Sequence, residues 1–309
     1  MELPLESETV LVELKIDFAT TPFDLDRTLC CGQVFRWERA HKSWYCVIGE
    51  TVVKIKQDHN ILIFQTYPKD LDTNFIERYF RFQDDLPKIL ESIDRDAHIS
   101  VAIRELFGLR LIQQEPWECL ISYICATYTN IPRIKDMIER LSRMLGEKIL
   151  FNGKTFYTFP TRKALARATL KDLLKCNLGY RAKNVLKTAK LVNNNQFNLE
   201  ALKRLTYDEG RHQLLTLKGV GPKVADCVLL FSQDKLEAFP VDVWIKRIIT
   251  EYYTQNFQKN MLNLKNGQSL KNIQISEFGR QYFGRYAGYA QEYLYSYYRG
   301  GTRKVVNKI

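Results

Sequence analysis

A lysine and an aspartate, Lys223 and Asp242, have the residue types and the spacing needed for chemistry by an amine nucleophile. Lys223 follows a Gly-Val-Gly turn and Pro222 in the stretch LKGVGPKVADC, which predicts a place in the first turn of an apolar helix. The partial positive charge of a helix N-terminus disfavours the protonated form of a lysine there, and a neutral amine is a nucleophile. Asp242, in FPVDVW, stands 19 residues further on, a separation that allows one helix and a return loop. This spacing lets the two side chains face one another.

Both residues also have an ordinary structural interpretation. Lys223 could be a solvated surface lysine, and Asp242 could simply cap the helix VWIKRIITEYY, because aspartate is a favoured N-cap residue. At a cleft, the same carboxylate could instead stabilise a cationic sugar transition state or move protons for the amine. Both interpretations are open at this point.

The elements that must position these residues are a helix, a tight hairpin and a second helix. Gly219 and Gly221 permit the positive φ that such a hairpin requires, and the helical stretch DEGRHQLLTL runs into it. Backbone amides that point outward at the start of the second helix form a site for a phosphate of DNA. An ordinary turn between two helices is the alternative interpretation.

The charge of the chain favours a polyanionic partner. Lys and Arg number 46 against 35 Asp and Glu, for a formal net charge of +11, although a basic surface can also serve solubility alone. The seven cysteines are an odd number without the spacing of a disulfide scaffold, which fits a reducing, intracellular compartment. After Cys227 the chain has no cysteine, so no iron–sulfur cluster is expected there. No zinc, other metal or cofactor is predicted.

Nothing in the sequence indicates membrane insertion or a targeting segment. Residues 1–10, MELPLESETV, are acidic and lack both an arginine-rich presequence and an apolar signal core. No uninterrupted apolar run approaches the roughly 20 residues needed to cross a bilayer. We therefore expect a soluble protein without a targeting segment.

The hydrophobic pattern divides the chain into a strand-rich first part and a helical remainder. From about 34 to 67, β-branched and aromatic residues alternate, with a hairpin turn at Asp58-His59-Asn60. From about Asp70 onward, apolar residues recur every three or four positions, as in FIERYFRF, IPRIKDMIERLSRML and RKALARATLKDLLKC. The first part therefore predicts a sheet and the remainder predicts helices.

This order of elements predicts an α+β fold with two domains. We expect a small antiparallel β-sheet domain at 1–108, followed by a mainly α-helical domain at 109–309. The polar stretch at about 252–272 is predicted to be a loop or an insertion.

The motifs in these two parts resemble those of a known enzyme family. LKGVGPKVADC followed by FPVDVW resembles the signature of the helix-hairpin-helix DNA glycosylases. The stretches CGQVFRW (31–37), NIPRI (130–134), LGYRAKNV (178–185) and AGYAQEYLY (287–295) narrow the resemblance to the 8-oxoguanine DNA glycosylase family. The absence of C-terminal cysteines separates the chain from the branches that carry a cluster there. The resemblance spans nearly the whole chain.

The resemblance implies a bifunctional DNA glycosylase and AP lyase that needs no cofactor. The damaged nucleotide is flipped out of the duplex, Lys223 attacks its C1′, and an imine to the opened sugar forms as the base leaves. Asp242 balances the developing charge, and β-elimination then nicks the strand. The implied substrate is double-stranded DNA that carries 8-oxoguanine, preferably opposite cytosine.

The resemblance also assigns residues to the base pocket and to the DNA. The carbonyl of Gly32 would accept the N7 proton that 8-oxoguanine has and guanine lacks, Gln291 would bind the Watson–Crick edge, and Tyr295 and Cys227 would sandwich the base. Taken singly, Gly32, Gln291 and Tyr295 are a turn glycine, a solvated helix glutamine and a core aromatic. The residues implied to fill the vacated stack, bind the orphaned cytosine or contact phosphates are Asn130, Arg133, Tyr180, Arg181, Gly219, Gly221 and Trp244.

Two positions depart from the family pattern. Trp244 stands where the family commonly has histidine, and it donates one hydrogen bond but cannot be charged. Tyr128 replaces an asparagine of the family, which puts the contacts to the orphaned base in question. The alternatives are a glycosylase for other oxidised or alkylated purines and a non-catalytic helix-hairpin-helix DNA-binding protein. We expect a monomer associated with DNA, in the nucleus of a eukaryote or the nucleoid of a prokaryote.

Overall fold

The structure of the chain is a computed structural model that describes residues 11–17, 20–255 and 270–305. The acidic segment 1–10 and most of the loop predicted at 252–272 lie outside the described residues. Helices predominate after the first sheet, as the α+β prediction required. The strands in this part of the chain are β1 (Leu11–Lys15), β2 (Glu38–Ala40), β3 (Ser43–Ile48), β4 (Thr51–Asp58), β5 (Ile61–Tyr67), β6 (Lys148–Phe151) and β7 (Lys154–Tyr157). The helices are α1 (Leu25–Cys30), α2 (Thr73–Tyr79), α3 (Leu86–Ile93), α4 (Ala97–Glu105), α5 (Pro116–Cys125), α6 (Ile131–Leu145), α7 (Arg162–Arg167), α8 (Leu170–Lys175), α9 (Arg181–Asn193), α10 (Tyr207–Leu215), α11 (Pro222–Ser232), α12 (Val243–Tyr252), α13 (Asn272–Phe283) and α14 (Ala287–Val305).

The chain forms two compact units, and neither is one continuous stretch of sequence. The first unit comprises Met1–Thr21, Gln33–Gln83 and Ile112–Leu199. The second unit comprises Pro22–Gly32, Asp84–Leu111 and Glu200–Ile309. The domain boundary at 108/109 stays a prediction.

The first unit contains the predicted antiparallel sheet, with strand order β1-β5-β4-β3-β2. Ile55 of β4 pairs with Phe64 of β5, and both side chains are fully buried. β4 ends at Asp58 and β5 begins at Ile61, which confirms the predicted hairpin turn. The pattern of β-branched and aromatic residues thus gives the sheet a buried apolar face.

Helices cover the rest of the first unit, with one two-stranded interruption. The stretch over 162–176, predicted to be helical, forms two helices, α7 and α8, because Thr169 starts a new helix. The Thr169 hydroxyl accepts from the amide of Asp172 at 3.2 Å, and the Asp172 carboxylate accepts from the amide of Thr169 at 3.1 Å, a capping box. The β6–β7 hairpin lies where only helices were expected.

The second unit is helical and brings α11 and α14 into close contact. The amide of Gly288 in α14 donates to the carbonyl of Leu236 at 2.8 Å. A Cβ at Gly288 would run into the side chain of Leu230 and come within 3.0 Å of the Leu236 carbonyl. Glycine at this position therefore permits the close approach that places α14 beside α11.

No helix among the described residues is long and apolar enough to cross a membrane. In the same part of the chain, no three His, Cys, Asp or Glu side chains are grouped so that they could hold a metal ion.

Candidate active site

The hairpin before Lys223 has the geometry of an anion site. Gly219 has a φ of +88°, in the left-handed region that favours glycine. Gly221 is the N-cap of α11 in an extended conformation and, as a glycine, supplies no side-chain cap to this helix start. Pro222 occupies the first helical position, where its missing N–H costs nothing. The first amides of an α-helix have no carbonyl four residues earlier within the helix to bind, so a helix start of this kind is suited to a phosphate.

Lys223 lies in the first turn of α11, as predicted, and its side chain is half-buried. Cys227 lies one turn later on the same helix and is buried. Burial raises the pKa of the Cys227 thiol to about 12, an effect that the charge of Lys223 opposes. The thiol is therefore a neutral packing surface and not a competing nucleophile.

Asp242 caps the start of α12. Its Oδ1 accepts from the amides of Trp244 at 3.0 Å and Ile245 at 2.8 Å. Burial raises the pKa of the Asp242 carboxyl, while these amides and the nearby charges of Lys223 and Arg299 oppose that rise. The structure thus brings the carboxyl of Asp242 into the electrostatic range of Lys223. This position is compatible with both interpretations of Asp242, as a helix cap and as a chemical partner of the lysine.

A buried ion pair anchors the helix that carries Lys223. Asp226 is 1% exposed and accepts from the hydroxyl of Tyr207 at 2.8 Å and from Nε of Arg211 at 2.9 Å. A third, longer contact joins it to the hydroxyl of Ser276 at 3.4 Å. These partners come from α10 and α13, so α11 is fixed from two sides.

Gln291 and Tyr295 lie one turn apart on α14. Gln291 is 5% exposed, and its Oε1 accepts no hydrogen bond from any residue that the structure describes. A buried acceptor without a donor costs about 1–3 kcal/mol, so a ligand with an N–H group would be stabilised here. Tyr295 lies in the electrostatic range of Asp242, and burial raises the pKa of its hydroxyl.

Sequence reasoning missed two charged residues of this site, Glu292 and Arg299. Glu292 is 2% exposed and accepts from the hydroxyl of Ser296 at 3.2 Å. Arg299 donates to the hydroxyl of Tyr295 at 3.0 Å, and its guanidinium lies 4.9 Å from the centroid of that ring. The signal in the sequence was the position of these two charges, seven residues apart, within a helix that also carries five tyrosines.

Gly32 is connected to the residues of α14 by hydrogen bonds that its two preceding residues, Cys30 and Cys31, make to that helix. Its φ of +107° requires glycine. Arg299 donates to the carbonyl of Cys30 at 3.2 Å, and the side chains of Cys31 and Glu292 are hydrogen-bonded. The turn that ends α1 is thereby tied to α14, the helix of Gln291 and Tyr295.

The residues predicted to contact the orphaned base form a second group, which lies in the first unit. Asn130 caps α6, its Oδ1 accepting from the amide of Arg133 at 3.1 Å, and the side chain of Arg133 is exposed. Tyr180 is 58% exposed and donates to the carbonyl of Thr127 at 3.1 Å. An exposed arginine and an exposed aromatic suit contacts to a base edge and a base face.

Arg181 differs from this exposed pair. It is 8% exposed, its Nε donates to the carbonyl of Thr127 at 3.0 Å, and its Nη2 reaches the carbonyl of Tyr128 at 3.3 Å. Tyr128 itself is 98% exposed at a φ of +47°, which is uncommon for a bulky residue. The guanidinium of Arg181 thus holds the backbone that presents the ring of Tyr128.

Trp244 is half-buried beside Asp242, and the guanidinium of Arg247 lies 5.1 Å from the centroid of its ring. This cation over an indole face is a favourable contact. It places a positive charge, which the tryptophan cannot supply, next to the start of α12.

The second unit therefore contains an amine, a half-buried carboxyl in its electrostatic range, and a buried glutamine whose Oε1 has no hydrogen-bond partner among the described residues. An amine beside a carboxyl can form and resolve a covalent imine, with the carboxyl balancing positive charge. Gln291 and Tyr295 on α14 and Cys227 on α11 are residues of the kinds that bind a flat aromatic ligand with polar edges.

The comparisons with known proteins agree with this chemistry. Residues 15–120 match the family model of the 8-oxoguanine DNA glycosylase N-terminal domain, and residues 121–266 match that of the HhH-GPD superfamily of base excision DNA repair proteins.

Curated relatives cover most of the chain. A probable N-glycosylase/DNA lyase of Methanothermobacter thermautotrophicus is 31% identical over 90% of this chain and 94% of its own length. The N-glycosylase/DNA lyase of Saccharomyces cerevisiae is 33% identical over 90% of this chain and 84% of its own length. Among solved structures, the 8-oxoguanine glycosylase/lyase of Clostridium acetobutylicum, in complex with double-stranded DNA containing cytosine opposite 8-oxoguanine, has a TM-score of 0.82 and 33% identity. That match covers 91% of this chain and 93% of the other.

Proposed function

The chain belongs to the 8-oxoguanine DNA glycosylase family, and on this basis we propose that it excises 8-oxoguanine from double-stranded DNA and then cleaves the strand as an AP lyase. The observation that carries the proposal for this chain's own residues is the half-buried carboxyl of Asp242 within the electrostatic range of Lys223. An amine at a helix start with a carboxyl in its electrostatic range suits imine chemistry at a sugar carbon.

Lys223 is the proposed nucleophile. Its neutral amine forms a bond to C1′ as the bond from C1′ to the base breaks, and the electron pair of that bond leaves with the base, which takes up a proton. The amine passes one proton to the departed base. The ring oxygen then leaves C1′ with its electron pair and takes up a proton, while the nitrogen keeps its remaining proton in a protonated imine. Removal of a C2′ proton then expels the 3′ phosphate, and water releases the lysine. Asp242 stabilises the positive charge that develops at the sugar.

The base is proposed to bind between Cys227 and Tyr295. The buried Oε1 of Gln291, which lacks a donor within the described chain, would accept an N–H of the Watson–Crick edge. The carbonyl of Gly32 would accept the N7 proton of 8-oxoguanine. Because guanine has no proton at N7, this one hydrogen bond separates the damaged base from the normal one.

The opposite strand is proposed to be bound by residues of the first unit. Tyr180 would stack in the space of the flipped nucleotide, and Arg133 would donate to the acceptors of an unpaired cytosine. Arg181 and Asn130 would hold the backbone around them. We further propose that Gly219, Gly221 and Trp244 lie against phosphates, that one copy of the chain suffices, and that the protein acts where DNA is, in a nucleus or nucleoid.

An incision assay tests the proposed function. Duplexes with one 8-oxoguanine opposite cytosine should be nicked at the lesion under single-turnover conditions, whereas a matched duplex with guanine should stay intact. Faster nicking of duplexes with alkylated or other oxidised purines would indicate a glycosylase with a different substrate. Binding of lesion DNA with no nick on any of these duplexes would favour a non-catalytic DNA-binding protein.

A further inference from the structure

Glu292 is a buried carboxyl that the proposed chemistry does not use. It follows Gln291 directly on α14, and its side chain is 2% exposed. A charged group in such a place is costly unless it is paired, so its partners indicate what holds it there.

The partners of Glu292 connect it to the lesion-binding turn. The hydroxyl of Ser296, one helical turn later, donates to its Oε1 at 3.2 Å. Its other hydrogen bond is to the side chain of Cys31, the C-cap residue of α1 and the residue immediately before Gly32. The thiol of Cys31 also lies 3.2 Å from the carbonyl of Thr28.

A thiol has one proton to donate, so Cys31 must divide it between two acceptors. A carboxylate is the stronger acceptor, because hydrogen bonds to a charged group are roughly twice as strong as neutral ones. An ionised Glu292 therefore draws the thiol toward α14, and a protonated Glu292 returns it to the carbonyl of Thr28.

We propose that Glu292 is a positioning residue for recognition of 8-oxoguanine: its carboxylate holds the Cys31–Gly32 turn against α14, and thereby holds the carbonyl of Gly32 in place for the lesion. This inference rests on the function proposed above, in which that carbonyl accepts the N7 proton. Glu292 itself need not touch the base.

The surroundings of Glu292 make this contact sensitive to pH near neutrality. Burial raises its pKa to about 7, and the charge of Asp242 adds to that rise, whereas Cys31, Arg299 and Ser296 oppose it. The turn should therefore be held more firmly above pH 7 than below it. The titratable and charged groups that face this carboxyl are Cys31 at the end of α1, Cys227 on α11, Asp242 at the start of α12, and Tyr295 and Arg299 on α14.

The test compares two reactions of the same full-length protein at two pH values. Glu292→Gln keeps the shape and an acceptor for Ser296 but removes the charge. We expect it to slow single-turnover excision of 8-oxoguanine about tenfold at pH 8 and much less at pH 6. Strand cleavage at a preformed abasic site has no base to recognise, so it should change by no more than about threefold at either pH. That second reaction also reports that the variant is folded.

Variants of Cys31 supply the matched comparison. Cys31→Ala removes the donor without touching the carboxyl and should reproduce the loss at pH 8, whereas Cys31→Ser keeps a donor and should retain most of the activity. In the double variant with Glu292→Gln, the two losses should not add, because both remove the same contact.

Two results would overturn the inference. One is equal excision by wild type and Glu292→Gln at both pH values. The other is a loss that is the same for excision and abasic-site cleavage and does not change with pH, since that would indicate a general structural role. If Glu292→Gln does not fold, Cys31→Ala tests the inference instead, by its rates of excision and of abasic-site cleavage at the two pH values. Failure of the wild type to release 8-oxoguanine would instead contradict the proposed function.

Discussion

Arg211 donates a hydrogen bond from Nε to Oδ1 of Asp226 at 2.9 Å, and this buried pair anchors the helix that begins with the proposed nucleophile. Asp226 is 1% exposed, so its charge depends on Arg211 and on the hydroxyl of Tyr207. The position of Lys223 thus depends on an ion pair one helical turn further along α11.

Arg211→Leu should destabilise the fold by about 3–5 kcal/mol at pH 7, because it leaves a buried carboxylate without its cation. Burial already raises the pKa of Asp226 in the wild type, and loss of Arg211 raises it further. The deficit should therefore shrink at acidic pH, where the carboxyl is protonated in both proteins. Urea denaturation at several pH values measures this, and a deficit that does not depend on pH would contradict the role assigned to the pair.

Asp242→Asn should keep the fold and lose most of the excision activity. Asparagine is also a good N-cap, so the amides of Trp244 and Ile245 keep an acceptor. The charge that balances the sugar cation is lost, with an expected decrease of about 10²–10³ in the single-turnover rate. A rate near that of the wild type would reduce Asp242 to a helix cap.

Protonation of the Asp242 carboxyl should also determine how the excision rate falls at acidic pH. Burial raises the pKa of Asp242, so activity should begin to fall at a pH above the ordinary range of an aspartate, about 3.9. Asp242→Asn should lack this acidic decline. Single-turnover excision between pH 4 and 8 compares the two profiles, and a parallel decline in both would assign it to another group.

The stability of the protein should also report the titration of Glu292. Its folded-state pKa of about 7 lies above its ordinary value of 4.5, so folding favours the protonated form. This contribution is fully present below pH 4.5 and is lost as the pH rises through 7, by about 3 kcal/mol in total. The contribution of Glu292 is the unfolding free energy of the wild type minus that of Glu292→Gln at each pH. A difference that stays constant from pH 4 to 8 would contradict a raised pKa.

The base opposite the lesion should be discriminated mainly by Arg133. Arg133→Ala should reduce the preference for cytosine over adenine roughly tenfold at little cost in stability, because the side chain is exposed. Arg181→Ala should reduce both the preference for cytosine and the stability of the fold. Its guanidinium donates hydrogen bonds to the carbonyls of Thr127 and Tyr128, and these bonds are lost. Tyr128→Asn should sharpen the preference, because an exposed ring stacks on any orphaned base.

Single-turnover excision against all four opposite bases, with denaturation of each variant alongside, measures these effects. No cytosine preference in the wild type, or a preference that Arg133→Ala leaves unchanged, would limit Arg133 to phosphate contacts.

The positions of Lys223 and Asp242 at two helix starts could be predicted from the sequence because their signals are local. Glycine at 219, proline at 222 and aspartate at an N-cap each act through the backbone of the next few residues. Their residue types and positions indicated an amine nucleophile, whereas the attack on C1′ of a damaged nucleotide came from the resemblance to the family; both roles stay predictions.

The charged residues around the base pocket could not be predicted in this way. Arg299 contacts the carbonyl of Cys30 across 269 positions of the chain, and the burial of Glu292 depends on that same packing. No periodicity within α14 distinguishes a buried glutamate from one on a solvated face.

Short strands were the other omission. Leu11 of β1 pairs with Gln65 of β5, although β1 is an edge strand of five residues without strong alternation. The strands of the β6–β7 hairpin have four residues each and stand between helices. Tertiary pairing stabilises such short strands more than their own composition does.

The most direct test of the central claim is borohydride trapping on a duplex with 8-oxoguanine opposite cytosine, followed by mapping of the modified peptide. Borohydride reduces the imine to a stable amine bond between enzyme and DNA. The wild type and Lys218→Gln, a change of an exposed lysine on the same hairpin, should both be trapped, with the adduct on Lys223. Lys223→Gln should bind the duplex without forming an adduct. An adduct on another residue, or persistent trapping of Lys223→Gln, would contradict the assignment of Lys223 as the nucleophile.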